Sequence, residues 1–363
     1  MADTLFFIPD ISGFTEFVHQ TEVRHSHHIV GELLELIIDQ DQLGLVAAEI
    51  EGDAILFYKN KDIPSAAAII QQAERMFMAF HKHLAYYNQR RVCDCGACRT
   101  ASGLSLKIVV HRGDAEMLKV KQFVKPYGGA VIVAHRLLKN AIPNDEYVLM
   151  TEPVYQHSSL PELNKEFPWA QFTEGSDAYM NIGDTPYCYI PLGGLHERIP
   201  MPPPPPSWTK TGAQITSSQE IACSSEHVYQ VLTDLARRAD FQKGVRRIDH
   251  KKGEVNRVGA EHICILPVGQ ATFETIRAPQ QSPGTKTYAE STASVPFVKE
   301  FTQLFSISDC EKGTKVTVNA FLQPSNWIGK RLIPFYKKQL SKGLDEVLFD
   351  LKELCEREAE LIS

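Results

Sequence analysis

No uninterrupted apolar run in the 363 residues approaches the roughly 20 needed to cross a bilayer, and the opening MADTLFFIPDISGF has neither the basic start nor the cleavage site of a secretory signal. A membrane span is therefore not expected, and a cytoplasmic location is. Positive charge is not in excess: 38 Lys and Arg stand against 44 Asp and Glu, a formal net charge of −6. A partnership with nucleic acid or an anionic membrane has no global electrostatic basis. Eight cysteines in such a chain read as thiols or metal ligands rather than a disulfide framework, because the cytosol keeps thiols reduced. What is present is an ordinary globular composition, 43% hydrophobic and 23% charged. At this length it implies two domains.

Low-complexity sequence is confined to one place, Pro200-Met201-Pro202 through Pro206. Consecutive prolines donate no backbone hydrogen bonds and hold an extended chain, so this run reads as a spacer, with recruitment of a partner's aromatic groove as the alternative. Domains are placed at 1–196 and 211–363, joined by a linker at 197–210. In the first, apolar runs predict strands at Leu5–Pro9, Leu43–Ile50, Ala54–Tyr58, Leu104–His111 and Ala115–Val120. Helical patterns run from Thr15, from His28 to Asp39, from Pro64 to Gln89 and from Ala130 to Asn140. Helices interleaved with hairpins make an α+β class.

Two carboxylates stand out. Asp10 ends the first apolar strand, and Asp53 sits in the turn Glu51-Gly52-Asp53 between two strands. Hard divalent cations take such oxygens, although aspartate also serves as a helix cap and a turn residue. The stretches FFIPDISGFTEF and EIEGDAILFY resemble the paired signatures of class III adenylyl and guanylyl cyclases, and GGAVIVAHRLLKNA resembles their later helix. The resemblance covers about residues 4 to 190 and implies a ferredoxin-like fold. It assigns Asp10 and Asp53 to two Mg²⁺ or Mn²⁺ ions that hold a nucleoside triphosphate, GTP or ATP. Ile11, Gly13, Phe14 and Thr15 would then place backbone N–H groups at a helix N-terminus against phosphate. By the same resemblance Glu49 and Lys125 occupy the base-selecting positions, where glutamate goes with guanine and Lys125 fits neither usual pattern. Arg136 takes the place of the transition-state arginine, and the family's site forms at a homodimer interface.

The chain also departs from that pattern. Ile132 stands where the cyclases use asparagine to orient the ribose, and no phosphate-binding lysine is evident in MNIGDTPYCYIP. Groups aimed at developing charge each contribute several kcal/mol, so losing two lowers turnover by about 10³ or more. A catalytically degenerate domain is expected.

In VCDCGACRT, Cys93, Cys95 and Cys98 can present three thiolates to one Zn²⁺. The fourth ligand would come from His81, from His83 or from a neighbouring subunit, and the alternative is a reduced surface loop. The histidines of RHSHH read as a solvated helix connection.

After the linker, strand-like runs at Gln214–Cys223, Ala260–Leu266, Ala271–Ile276, Thr285–Ser294, Val298–Ser306 and Lys315–Leu322 surround one short helix, Ser225–Arg237. A long helix closes the chain, with Ile328, Leu332, Tyr336, Leu340, Leu344, Val347, Leu351 and Leu354 on one stripe. This order resembles the START-like superfamily of polyketide cyclases and lipid-transfer proteins (SRPBCC), a helix-grip container. The resemblance implies an apolar small molecule or lipid as partner, held among Phe273, Phe297, Phe301, Phe305, Trp327, Phe335 and Tyr336. His262, Glu274 and Glu290 are read as facing solvent. The expected protein is a cytoplasmic signalling sensor. The alternatives are an active guanylyl or adenylyl cyclase regulated by the second domain, and a non-catalytic interaction scaffold.

Overall fold

Leu5, Phe6, Phe7, Ile8 and Ile11 are apolar without alternation, the pattern of a strand covered on both faces. In the computed structural model they lie in strand β1 (Ala2–Ser12) and are at most 1% exposed. The structure describes residues 2–19, 23–250, 255–267, 269–279 and 281–362. They form two units, Met1–Asn88 with Cys95–Pro202, and Gln89–Asp94 with Pro203–Ser363. Both mix helices with sheet, and no helix among the described residues is long and apolar enough to cross a membrane.

In the first unit β1 leads into the short helix α1 (Phe14–His19), then α2 (Val23–Asp39) and the hairpin β2 (Val46–Glu51) and β3 (Ala54–Lys59). Helices α3 (Ala66–Arg90) and α4 (Gly96–Thr100) precede β4 (Ser105–Val120), β5 (Phe123–Tyr127) and α5 (Gly129–Leu137). The unit ends with β6 (Tyr147–Thr151), α6 (Glu152–Tyr155), α7 (Leu160–Glu166), β7 (Thr173–Tyr179) and β8 (Gly183–Pro191). The sheet order is β2-β3-β1-β4-β6-β8-β7, with β5 paired to β4. Within it β1 runs antiparallel to both neighbours and β4 parallel to β6.

Three features depart from the sequence pattern. The two strands expected at Leu104–His111 and Ala115–Val120 are one sixteen-residue strand, β4, that passes straight through Gly113. That glycine serves a close approach instead, since a Cβ there would meet Ala130 Cβ at 2.9 Å. Strand β5 was missed because Pro126 argues against a strand. It sits in a ribbon off the main sheet path, where a missing N–H is tolerated. Strands β6 to β8 were not read from the sequence, β7 (TEGSDAY) carrying little apolar alternation, and helices α4, α6 and α7 are too short to show a helical period.

The second unit is built from β9 (Ile215–Ile221), α8 (Ser225–Thr233), α9 (Arg238–Phe241), β10 (Arg247–His250), β11 (Glu261–Ile265), β12 (Gln270–Ile276), β13 (Lys286–Thr292), β14 (Val298–Cys310), β15 (Gly313–Pro324) and α10 (Trp327–Ile362). All pairings in its seven-stranded sheet, β10-β11-β12-β13-β14-β15-β9, are antiparallel. Ser224 caps α8 by accepting from His227 N, as serine at that position should. Leu344, Leu348, Leu351 and Leu354 of α10 join Val228, Leu232, Phe305 and Val318 in one core. The early part of the helix behaves otherwise: Trp327 and Phe335 are 70% and 64% exposed, and Phe297 is 48% exposed. These three aromatics, expected inside, lie outside: Trp327 and Phe335 because the helix is buried only toward its C-terminal half, and Phe297 because it stands in the turn before β14, at φ +59°.

Candidate functional site

The hairpin turn between β2 and β3 is drawn against the end of β1. Gly52 takes φ +69°, a conformation favouring glycine, and Ile11 N donates to Asp53 O at 3.1 Å. Asp10 pairs in register with Ala54, so the neighbouring Asp53 stands close enough to raise the pKa of Asp10. Burial is the larger cause of that rise, and Lys107, on β4 with Nζ 3.5 Å from Asp10 Oδ2, opposes it. Burial also lifts Asp53 above the ordinary carboxylate range, again against Lys107. The carboxylates of Asp10 and Asp53 are thus partly buried near one another, with Lys107 as a cation that acts on both. Lys107 was missed in the sequence. Its signal was register, a lysine opposite Asp10 immediately before the apolar run Ile108-Val109-Val110.

Gly13, at φ +84°, accepts from Phe17 N and starts α1. Ile11 is buried, while Gly13 and Thr15 are exposed. Phe14 leans over the neighbouring turn, within 4.0 Å of where a Cβ of Gly52 would stand. The loop between Asp10 and α1 is thus beside the Asp53 turn.

The structure also joins Glu49 and Lys125, the two positions expected from the resemblance to select the base. A register shift in β2 between Ala47 and Glu49 breaks the regular ladder there, and Lys125 Nζ of β5 donates to Glu49 Oε2 at 3.2 Å. On α5, Arg136 is exposed and the neighbouring His135 meets Glu51 at 3.3 Å. Ile132 is 56% exposed.

Cys93, Cys95 and Cys98 are 3%, 6% and 2% exposed, so they do not form a surface loop. Their sulfurs and a nitrogen of His25 all lie within 4.8 Å of one another, a group able to hold a metal. His25 Nδ1 is 3.3 Å from Cys95 Sγ and 3.4 Å from Cys98 Sγ. The fourth member is therefore His25 of RHSHH, on the first turn of α2, and neither His81 nor His83. His83 pairs with Glu32 at 3.2 Å instead. His27 is exposed, as the solvated reading of the run expects, but His25 is not free in solvent because the start of its helix packs against the cysteine segment, a contact no local pattern announces.

In the second unit Glu290 and His262 are each 1% exposed, which corrects the solvent-facing reading, while Glu274 is exposed. Glu290 is held by Arg238, itself 0% exposed, with Nη1 2.9 Å from Oε1 and Nη2 reaching Oε2. Tyr288 OH joins the pair, and Asn256 and Thr275 extend the network. His262 stacks on Phe273 with centroids 5.5 Å apart, and burial pushes its pKa down to about 4. A cavity of about 1460 Å³ lies alongside, lined by Cys264, Phe273, Glu290, Phe301, Tyr336 and Leu340 among others.

Residues 30–147 match a family described as "Protein of unknown function (DUF2652)". A Mycobacterium tuberculosis protein, "Uncharacterized protein Rv2561/Rv2562", is 32% identical over 163 residues, 45% of this chain and 73% of that protein. Among solved structures, the guanylate cyclase domain of RhGC from Catenaria anguillulae in complex with GTP is 16% identical. The match covers 52% of this chain and 96% of that one, with a TM-score of 0.35. The adenylyl cyclase CyaB from P. aeruginosa is likewise 16% identical, over 52% of this chain and 93% of its own, with a TM-score of 0.36.

Proposed function

We propose, from the premise that the chain belongs to the family of the Mycobacterium tuberculosis protein Rv2561/Rv2562, that its first domain binds a divalent cation with a nucleoside triphosphate and turns it over slowly or not at all, while its second encloses an apolar molecule. The observation that carries the first half is the meeting of Asp10 and Asp53. Two carboxylates, one near the end of a buried strand and one in the adjoining hairpin turn, each with a raised pKa, are well placed as ligands for Mg²⁺ or Mn²⁺. The phosphates would lie along Ile11 to Thr15.

Slow turnover rests on Ile132 and the absent lysine. Ile132 has no polar atom for a ribose hydroxyl, and Arg136 alone does not supply the preorganised field that acceleration needs. The Glu49–Lys125 ion pair occupies the carboxylate that would read guanine, so base selection is weak. A homodimer is supported by the exposed apolar residues of the β4–β5 ribbon, with Val120, Phe123 and Tyr127 at 56%, 67% and 65%. Zn²⁺ held by His25, Cys93, Cys95 and Cys98 would be a closed four-ligand structural site. The second domain is assigned a START-like helix-grip role on the pairing of its antiparallel sheet with α10 and the cavity beside them. The domains are 1–196 and 211–363 with 197–210 as spacer, in a cytoplasmic sensor.

Titration of the purified chain with GTP and ATP, with and without Mn²⁺, tests the reading. Binding that requires Mn²⁺ and is lost in Asp53→Asn is expected. Equal affinity in wild type and variant would return Asp53 to a turn residue and favour the scaffold alternative. Ready formation of a cyclic nucleotide would establish the active cyclase.

A further inference from the structure

Three side chains that belong to none of the cyclase-like motifs meet in the first unit. His81 comes from α3, Glu146 from the residue before β6, and His196 from the 3-10 turn Gly193–Arg198 after β8. Their approach is braced on several sides. Leu192 N donates to Glu146 O at 3.0 Å, and Arg198 pairs with Glu74 of α3 at 2.7 Å. The ring of Phe77 lies 4.3 Å from that of His81 and 5.2 Å from that of His196.

The ligand atoms of the three residues lie within 4.8 Å of one another. His196 Nε2 is 3.0 and 2.9 Å from the two oxygens of Glu146, and His81 Nε2 is 3.3 Å from Oε1. Ligands at about 2.0–2.1 Å from a tetrahedral zinc stand about 3.3 Å apart, so the His81–Glu146 separation already fits a shared ion, while His196, nearer to the carboxylate, would draw back slightly to take its place. A hydrogen-bonded His-Glu-His cluster is the alternative. It explains His196, which faces both carboxylate oxygens. It accounts for His81 less well: the side chain is 10% exposed, and its buried Nε2, although 3.3 Å from Glu146 Oε1, is not aligned for a hydrogen bond. A buried ring nitrogen left unsatisfied costs about 1–3 kcal/mol, and an ion at the centre of the three would remove that cost.

We propose that His81, Glu146 and His196 bind a divalent transition-metal ion of the zinc class, at a site separate from the aspartate pair and from the cysteine group. Two imidazoles and one carboxylate favour such an ion over Mg²⁺, which takes oxygen ligands. The His196 side chain is 45% exposed, which leaves a fourth position open to water or an anion, in contrast to the closed cysteine group.

The test uses the full chain, freed of metal by chelation and titrated with Co²⁺. Wild type is expected to show thiolate-to-cobalt charge-transfer bands from the cysteine group and, separately, visible ligand-field bands from a site without sulfur. In Cys98→Ser the second set persists. In His196→Ala, a change at an exposed position, it is lost, and zinc retained by the chain falls by one equivalent with the circular dichroism unchanged. Glu146→Gln, which keeps hydrogen bonding but removes the charge, weakens Co²⁺ at that site at least about tenfold and guards against misfolding of the alanine variant. Unchanged stoichiometry and affinity in both variants, or an absence of sulfur-free bands in wild type, would overturn the proposal in favour of the hydrogen-bonded cluster.

Discussion

Glu290→Gln is expected to be among the most damaging single changes in the second domain. Glu290 and Arg238 are 1% and 0% exposed and bridged by two hydrogen bonds, so neither charge reaches water. Exchanging the carboxylate for an amide leaves the guanidinium charge unneutralised in the interior, with one amide oxygen and Tyr288 OH, at 3.0 Å, as its side-chain acceptors and an amide N–H₂ turned against its own donors. Breaking one side of a buried pair costs about 3–5 kcal/mol, which in a domain of this size lowers Tm by about 6–20 °C. Replacing both partners with apolar residues, Arg238→Met with Glu290→Leu, removes the charges together. Asn256 still donates to Thr233 O at 2.7 Å and accepts from Thr275 Oγ1 at 2.8 Å, so the double variant is expected near wild type. Differential scanning calorimetry of wild type, Arg238→Met, Glu290→Leu and their double variant measures the coupling, with Glu290→Gln run beside them. A Glu290→Gln protein within about 1 kcal/mol of wild type would refute the reasoning, since surface pairs contribute that little.

Acid should weaken both domains. Burial pushes His262 and His111 down to about 4, so the unfolded chain takes up protons first, near its ordinary value of 6.5. Stability from each is present above 6.5 and lost as pH falls toward 4, about 3 kcal/mol per histidine over the range. Urea unfolding at stepped pH checks this, and a flat profile between 6.5 and 4 contradicts it. Asp10→Asn should raise Tm at neutral pH while reducing Mn²⁺ binding. Its pKa is raised in the fold, so the stability it contributes is present below its unfolded value and lost as pH rises through the folded one. A variant less stable than wild type would mark Asp10 as structural. Lys125→Ala frees Glu49 to accept from a guanine edge, and the GTP-to-ATP affinity ratio should rise about tenfold, the worth of one charge-assisted hydrogen bond. An unchanged ratio removes Glu49 from base selection.

The sequence by itself determined those features that depend on local period or on a short motif. The buried strand at Leu5–Pro9, the long helix starting near Pro64, the hairpin around Gly52 and the meander after residue 260 were legible because side-chain period follows backbone geometry. Asp10 and Asp53 were singled out by the resemblance of their two stretches to cyclase signatures, and the three clustered cysteines by their close spacing. Only the tertiary structure decided which distant residues complete those groups. Lys107 faces Asp10 through strand register, and His25 reaches the cysteines across 70 residues of sequence. Arg238 neutralises Glu290 inside a sheet whose inner face the alternation of β13 did not identify. His81, Glu146 and His196 carry no motif at all, since a helix, a loop and a 3-10 turn supply one ligand each. Contacts of this kind arise from packing between elements whose separation along the chain places no constraint on residue type, and so they leave no periodic trace for a single sequence to show.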